Sequence, residues 1–447
     1  MHLRIYIFKL RIFQFFSTIF FLYFTTSVQA QTYSSEEIVI SGLGFSRFSV
    51  TLVPEKSFSD HPDANRWLRI IDRNLCWSGV FLVTDSRYRI CRTAGGNQVD
   101  MKIMLKLKHT VSDSSKLVSK HLMLTVADND GVPLFPLELP VRKNRFREAE
   151  LMDLINEMSA QLTGLEGVLG STIAFTLKQP KRRKIIARVN THGKKLAAVS
   201  KNRFINLLPS WNRKGDAIVY TTLSRMGTAI IFNDFKNRPA KLIGSNISAN
   251  HISKNFLSVS GGTWFSNGRQ LVVTLSHKGN TDLYTFDRQR RRETRLTFHR
   301  GIDTVPDLSP DNQHLIFVSD RSGHEQIFYL RLGTKIAFQL TFGLGSSSDP
   351  VWSPDGTLIA FSKISSGHSQ IHLMDPFTGE DHQLTQGRYN SEQPAWSPDG
   401  RQIVFVSSST GVYKLYIMFV DGTGRRRLTR TPKDFKEGSP SWTARKF

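Results

Sequence analysis

The feature that most constrains this chain is a repeat. The stretch Asp349-Pro350-Val351-Trp352-Ser353-Pro354-Asp355-Gly356 returns as Gln393-Pro394-Ala395-Trp396-Ser397-Pro398-Asp399-Gly400, 44 residues on. A third copy, Pro306-Asp307-Leu308-Ser309-Pro310-Asp311, lies 44 residues earlier. Trp264 and Trp211 extend the series upstream, and Pro440-Ser441-Trp442 extends it downstream. A second marker keeps the same step: Leu296-Thr297, Leu340-Thr341, Leu384-Thr385 and Leu428-Thr429. Two markers in one register mean an array of like units, each unable to bury both of its faces alone.

Within a unit the text reads as four short strands. Pro-x-Trp opens the first, and Ser-Pro-Asp-Gly supplies a turn in which Pro fixes φ and Gly accepts a positive φ. Apolar, β-branched runs such as Leu315-Ile316-Phe317-Val318 make the second strand. Alternating runs such as Gln326-Ile327-Phe328-Tyr329-Leu330 make the third, and the fourth ends in Leu-Thr. Four strands in about 44 residues is the arithmetic of a propeller blade. The last unit is a first strand only, whereas Thr172 to Leu177, Lys184 to Val189 and Lys195 to Val199 supply three strands without a first. The expected fold is therefore mainly β: a six-bladed β-propeller over 171–447, its C-terminal strand closing blade one and removing the open edge.

The start of the chain reads as a secretory signal peptide over residues 1–30. Arg4, Lys9 and Arg11 form a basic head, Ile12 to Phe24 are mostly apolar, and Val28-Gln29-Ala30 offers a cleavage site. The apolar run is short for a membrane span, and an uncleaved anchor is the rival reading. Cys76 and Cys91, the only cysteines, either pair in an oxidising compartment or stay separate buried thiols. Loss of residues 1–30 removes three basic and no acidic residues and takes the net charge from +23 to +20. That balance favours acidic partners, although the runs Lys181 to Lys184, Arg290 to Arg292 and Arg425 to Arg427 also suit solvated turns. Export argues against nucleic acid.

Residues 31–163 escape the repeat and read as a small α/β domain. A helix capped by Asp60 or Asp63 carries Trp67, Ile71 and Leu75 on one face. Strands follow at Phe81 to Val83, Met101 to Leu107 and His121 to Ala127. A second helix over Arg147 to Leu162 turns Leu151, Ile155, Met158 and Leu162 to a sheet, and 164–170 reads as a linker.

An exported chain with a small α/β domain and six blades bearing Trp-Ser-Pro-Asp-Gly resembles the TolB family, the periplasmic propeller proteins of the Tol-Pal envelope system. The likeness is specific in the blades from Trp264 onward and in Leu162-Thr163-Gly164 leading to Ile173-Ala174-Phe175. It implies a non-catalytic, monomeric scaffold of the periplasm, without cofactor or metal, held near membranes by its partners. It implies roles in outer-membrane integrity, envelope constriction at cell division and protein import. Its propeller would bind the peptidoglycan-associated lipoprotein Pal, and its N-terminal segment would bind the inner-membrane-anchored TolA. In that segment Glu36, Glu37, Ile38, Val39 and Ile40 match the family's short strand-forming stretch, while Gly42-Leu43-Gly44 departs from its acidic, Ser-rich continuation.

Loops entering the innermost strands ring one mouth of a closed propeller, and loops on a rigid scaffold suit partner binding. Those loops make His299, Arg300, Asp303, Ser347, Asp349, Arg388, Tyr389, Asn390, Glu392 and Lys436 the expected partner-binding residues. The Asp of each Ser-Pro-Asp-Gly invites a calcium reading, but turn chemistry accounts for one Asp per blade. Two other functions compete. A propeller peptidase needs a hydrolase domain with Gly-x-Ser-x-Gly, which is absent from the sequence, and a glycan-cleaving propeller needs paired channel carboxylates. A receptor for an anionic envelope polymer would use the net positive charge directly.

Overall fold

A computed structural model describes residues 47–84, 86–88, 99–111, 118–180, 183–225, 227–235, 247–248, 256–444 and 446. The signal segment, the stretch with Glu36 to Ile40, and Cys91 lie outside the described residues. Among the described residues no helix is long and apolar enough to cross a membrane.

The N-terminal part is an α/β layer. Strands β1 (Phe48–Pro54), β2 (Phe81–Val83), β3 (Met101–Val111), β4 (Val118–Asp128) and β5 (Pro133–Val141) form one sheet ordered β2-β1-β3-β4-β5. β1 is parallel to both neighbours, and β3 to β5 are antiparallel. Helices α1 (Lys56–Ser59), α2 (Ala64–Trp77) and α3 (Glu148–Thr163) accompany it. The apolar stripes of the two long helices, Trp67, Ile71 and Leu75 with Leu151, Ile155 and Met158, share a core with Ile103, Leu105, Leu122 and Leu124. Asp63 stands at the N-cap of α2 but makes no capping bond. Its backbone (φ −92°, ψ 4°) lacks the extended geometry that aims a cap side chain at the first turn. Cys76, buried at the end of α2, is disulfide-bonded.

α3 ends at Gly164 in the left-handed region (φ 71°), a conformation glycine adopts without penalty. The segment after it is fastened rather than loose. Val168 and Leu169 are buried, and the Asn156 side chain accepts from the Leu169 N–H (2.9 Å) and donates to its carbonyl (3.0 Å). Edge strand β5 carries Pro133, Pro136 and Pro140, which withhold the N–H groups a foreign strand would need.

The remainder is a ring of six four-stranded antiparallel sheets. Their innermost strands are Lys436–Thr443 (blade 1), Ile205–Trp211 (2), Phe256–Trp264 (3), Asp303–Leu308 (4), Ser347–Trp352 (5) and Ser391–Trp396 (6). Each packs beside the next around the circle. Blade 1 is completed from the far end of the chain, because Lys436–Thr443 pairs with Thr172–Lys178. The tryptophans fill the gaps between blades: Trp352 packs with Ile316, Ile327, Ile359 and Phe361. In the Ser-Pro-Asp-Gly turns, Ser353 Oγ donates to Asp355 and accepts from the Leu358 N–H (2.9 Å), with Gly356 at φ 77°. Ser309 with Asp311, and Ser397 with Asp399, repeat the motif. These carboxylates are thus occupied in holding turns.

Candidate partner-binding face and central channel

A ring of four-stranded blades has two faces. Loops that enter the first strand and loops that join the second to the third lie on one face, here the mouth. Turns joining first to second and third to fourth strands lie on the other. The N-terminal domain is fixed to that second face, at blades 1 and 6. Arg47 pairs with Asp421 (2.6 Å), and Gln402 Nε2 donates to the carbonyls of Trp77 (3.2 Å) and Ser78 (3.1 Å). Arg426 lies 4.3 Å from the Trp77 ring and donates to the Thr191 carbonyl (3.0 Å). His192 Nε2 meets Asn74 Oδ1 at 2.9 Å. Burial drives the Arg426 guanidinium down to about 9 and the His192 imidazole down to about 3, so the histidine is neutral at ordinary pH.

The mouth loops are clamped from within the blades, which explains the Leu-Thr marker. In blade 4, Thr341 Oγ1 donates to Gln326 Oε1 (2.6 Å) and accepts from the Ile327 N–H (2.9 Å). Gln326 Nε2 then donates to the carbonyls of Gly343 (3.4 Å) and Gly345 (3.0 Å) in the next entering loop. Blade 5 repeats this with Thr385, Gln370 and the carbonyls of Gly387 and Tyr389. Gly345 is needed for a close approach, since a Cβ there would lie 2.4 Å from the Ile364 carbonyl oxygen. The loops entering blades 5 and 6 are therefore presented surfaces held by buried hydrogen bonds.

The expected residues divide under this geometry. His299, Arg300, Arg388 and Lys436 are exposed on the mouth loops. Tyr389 is partly exposed and stacks under Arg425, 5.4 Å from its ring. Asn390 donates to the Tyr413 hydroxyl (2.9 Å) and braces its own loop. Asp303 is fully buried, chelated by Arg321 through two 2.8 Å bonds, and Ser347 is buried as well. Neither presents surface to a partner. Asp349 and Glu392 are only partly exposed. Burial raises both carboxyls above their usual range, and Glu392 is raised further by Asp349. Beside these sit residues the sequence reading passed over: Ile302, Leu344 and Ile364, all exposed. The Ile364 N–H donates to the Ser346 carbonyl (2.9 Å), which stitches it to the Leu344 loop. Gly343 and Gly345 flanking a leucine were the available signal.

Behind the mouth lies the central channel, with a cavity of about 560 Å³. Its waist is a ring of backbone irregularities. Leu208, Val305, Asp349, Gln393 and Ser439 each precede a proline and hold φ between 48° and 56°, and Gly261 holds 64°. At each, the register between first and second strands slips, as a β-bulge requires. A β-branched residue such as Val305 in this region costs about 1–3 kcal/mol and persists only where the surroundings over-determine it. Contacts between blades do that here. The Trp352 N–H donates to Asp307 Oδ2 (2.8 Å), the Trp211 N–H to Ser441 Oγ (3.0 Å) and the Ser439 N–H to Gln393 Oε1 (2.7 Å). Asp307 also accepts from Thr263 Oγ1 (2.8 Å), and burial lifts its carboxyl to about 6. The cavity runs from this waist towards the Ser-Pro turns, so Asp349 alone of the expected residues lines it.

Comparison with known proteins agrees with this architecture. A family model described as the TolB beta propeller domain matches residues 159–446. The protein TolB homolog of Chlorobium luteolum is 28% identical over 328 residues, 70% of each chain. The Tol-Pal system protein TolB of Helicobacter pylori is 29% identical over 137 residues, 31% of each chain. Among solved structures, TolB from Acinetobacter baumannii superposes with a TM-score of 0.67 at 23% identity, over 90% of this chain and 98% of that one.

Proposed function

This chain belongs to the TolB β-propeller domain family, and on that premise we propose that it is a non-catalytic periplasmic scaffold of a Tol-Pal system. Its mouth face binds the peptidoglycan-associated lipoprotein Pal. Its N-terminal segment, with Glu36 to Ile40, engages the inner-membrane-anchored TolA. By joining the two it supports outer-membrane integrity and envelope constriction at division. It reaches the periplasm through the signal peptide, cut after Ala30.

The observation that carries this reading is the clamped mouth. Apolar Ile302, Leu344 and Ile364 stand among exposed His299, Arg300, Arg388 and Lys436, on the face opposite the N-terminal domain. Exposed apolar side chains set among polar and charged ones on a rigid base suit a protein–protein interface. Loops already held by Gln326–Thr341 and Gln370–Thr385 lose little further entropy on binding.

A pull-down tests it. The chain from Gln31, tagged and mixed with detergent-solubilised envelope of its source, should retain a peptidoglycan-binding lipoprotein at about 0.15 M ionic strength. Capture should be lost in R300E/R388E, and capture of an inner-membrane partner should be lost on deleting residues 31–41. Retention of polyanions alone, released by salt, would sink the partner assignment.

A further inference from the structure

We propose that the outer rim of blades 3 and 4 is a docking surface for an anionic lipid bilayer, separate from the mouth. Large apolar side chains that a closed ring leaves outside its cores are concentrated there. Phe298 is 53% exposed, Ile336 66%, Phe338 59% and Phe342 67%. Phe338 lies on the short fourth strand Ala337–Gln339, whose flanking residues are less exposed, so its ring points outward from the rim. Phe298 and Phe342 hold equivalent places 44 residues apart. The rims of the two blades are continuous: Lys335, from blade 4, lies 5.4 Å from the ring centre of Phe298, at the end of blade 3. Arg295 contacts the same ring at 5.0 Å.

The charge around these residues is one-sided. Residues 288–298 and 331–342 hold seven arginines and lysines against the single acid Glu293. Arg290, Arg291, Arg292, Arg331 and Lys335 are exposed. The basic charge has an edge, because the next outer turn carries Asp375, Glu380 and Asp381, while the exposed apolar side chains continue there in Phe377. Aromatic and aliphatic side chains projecting singly from a convex rim, with arginines between them, suit insertion at the headgroup boundary. There binding grows with buried apolar area and with attraction to anionic lipid. Protein–protein anchors cluster in well-packed, desolvated pockets, whereas these side chains project singly and exposed from the rim.

The test is sedimentation of the chain from Gln31 with vesicles of phosphatidylglycerol and phosphatidylcholine, against vesicles of phosphatidylcholine alone. Binding should need phosphatidylglycerol and weaken with salt. I336S/F338S should bind about tenfold more weakly at either salt. R290S/R291S/R292S should lose about a hundredfold at low salt. All these positions are exposed, so both variants should keep the parent's thermal midpoint, and both should still capture the lipoprotein through the mouth. Equal binding to both vesicle types, or unchanged binding by either variant, overturns the proposal. So does loss of a captured envelope protein in I336S/F338S with vesicle binding intact, which makes the rim a protein interface instead.

Discussion

The ring has one seam, where blade 6 meets the strand that closes blade 1, and its chemistry departs from the repeat there. The place held by Gln326 and Gln370 is taken by Lys414, 1% exposed. Its ammonium donates to Thr431 Oγ1, the Pro432 carbonyl and the Phe435 carbonyl, each at 2.7 Å. Glu437, buried on the closing strand, takes the acceptor role that threonine plays elsewhere. It accepts from the Leu415 N–H (2.7 Å) and from the hydroxyls of Thr429 and Thr431. Thr431 thus relays hydrogen bonding from the lysine to the carboxylate. Burial lowers the Lys414 pKa, and Glu437 opposes that fall.

Replacing Glu437 by Gln removes the larger of the two carboxylate contributions that offset the buried ammonium, Asp434 supplying the other, and swaps one acceptor oxygen for a donor. Leaving one member of a buried charge pair unpaired costs about 3–5 kcal/mol. Because the pair is relayed, the lower end, about 3 kcal/mol, is expected. At about 2–4 °C per kcal/mol for a domain of this size, E437Q should lower the thermal midpoint by about 10 °C. K414Q/E437Q, which restores neutral partners, should cost clearly less than the two single changes summed, with a coupling of about 2 kcal/mol. Circular dichroism on heating and in urea reads both quantities. A shift for E437Q below about 2 °C, or additive single and double variants, would refute the view that the seam is held by coupled charges.

Other consequences are read more simply. V305N should raise stability by about 0.5–1 kcal/mol, since asparagine tolerates a positive φ better than valine; a lower midpoint would mean that the waist is not strained. His192 should show no imidazole titration by NMR above about pH 4, given its fall to about 3. Its unfolded value is higher, so the unfolded chain binds more protons between about pH 6.5 and 3 and stability falls as pH drops through that window. Replacing His192 by Gln should flatten the fall. Asp307 works the other way: its carboxyl is lifted to about 6, so its contribution to stability is lost as pH rises from about 4 to 6, and D307N should remove that slope.

How much of this the sequence carried depends on whether a residue's role was local. The fold class was legible because a blade is short and writes its turns and its tryptophans at a fixed step. The clamp behind the Leu-Thr marker was not, since it joins Thr341 to Gln326 across two strands. Polar residues on loops mark the mouth in the sequence, but two of them, Asp303 and Ser347, are buried. Asp303 is buried because Arg321 reaches it from a loop 18 residues away, a pairing no local pattern announces. Ile302, Leu344 and Ile364 are exposed without any local mark of it, because an apolar residue reads as core unless something shows otherwise. Capping failed for a similar reason. Asp63 stands at the expected helix start, but the preceding turn sets its backbone outside the capping geometry.

The waist of the channel shows how one backbone can present different side chains from blade to blade. At six equivalent points the backbone enters the left-handed region, and the side chains there are those of Leu208, Gly261, Val305, Asp349, Gln393 and Ser439. The fold fixes the conformation through the bulge and through hydrogen bonds from neighbouring blades, such as Trp352 to Asp307. It asks of the side chain only that the strain be tolerable. Everything else at that position is free to vary, so the ring combines an invariant backbone with a lining whose polarity changes from blade to blade. The mouth follows the same division. Carbonyls clamped by Gln326 and Gln370 hold the loops, and between the clamped points stand residues as different as Leu344 and Arg388. A partner that fits this face would therefore be selected by the places where one blade differs from the next. Swapping Leu344 and Arg388 between their loops should abolish capture of the mouth's partner while leaving the thermal midpoint within about 2 °C of the parent.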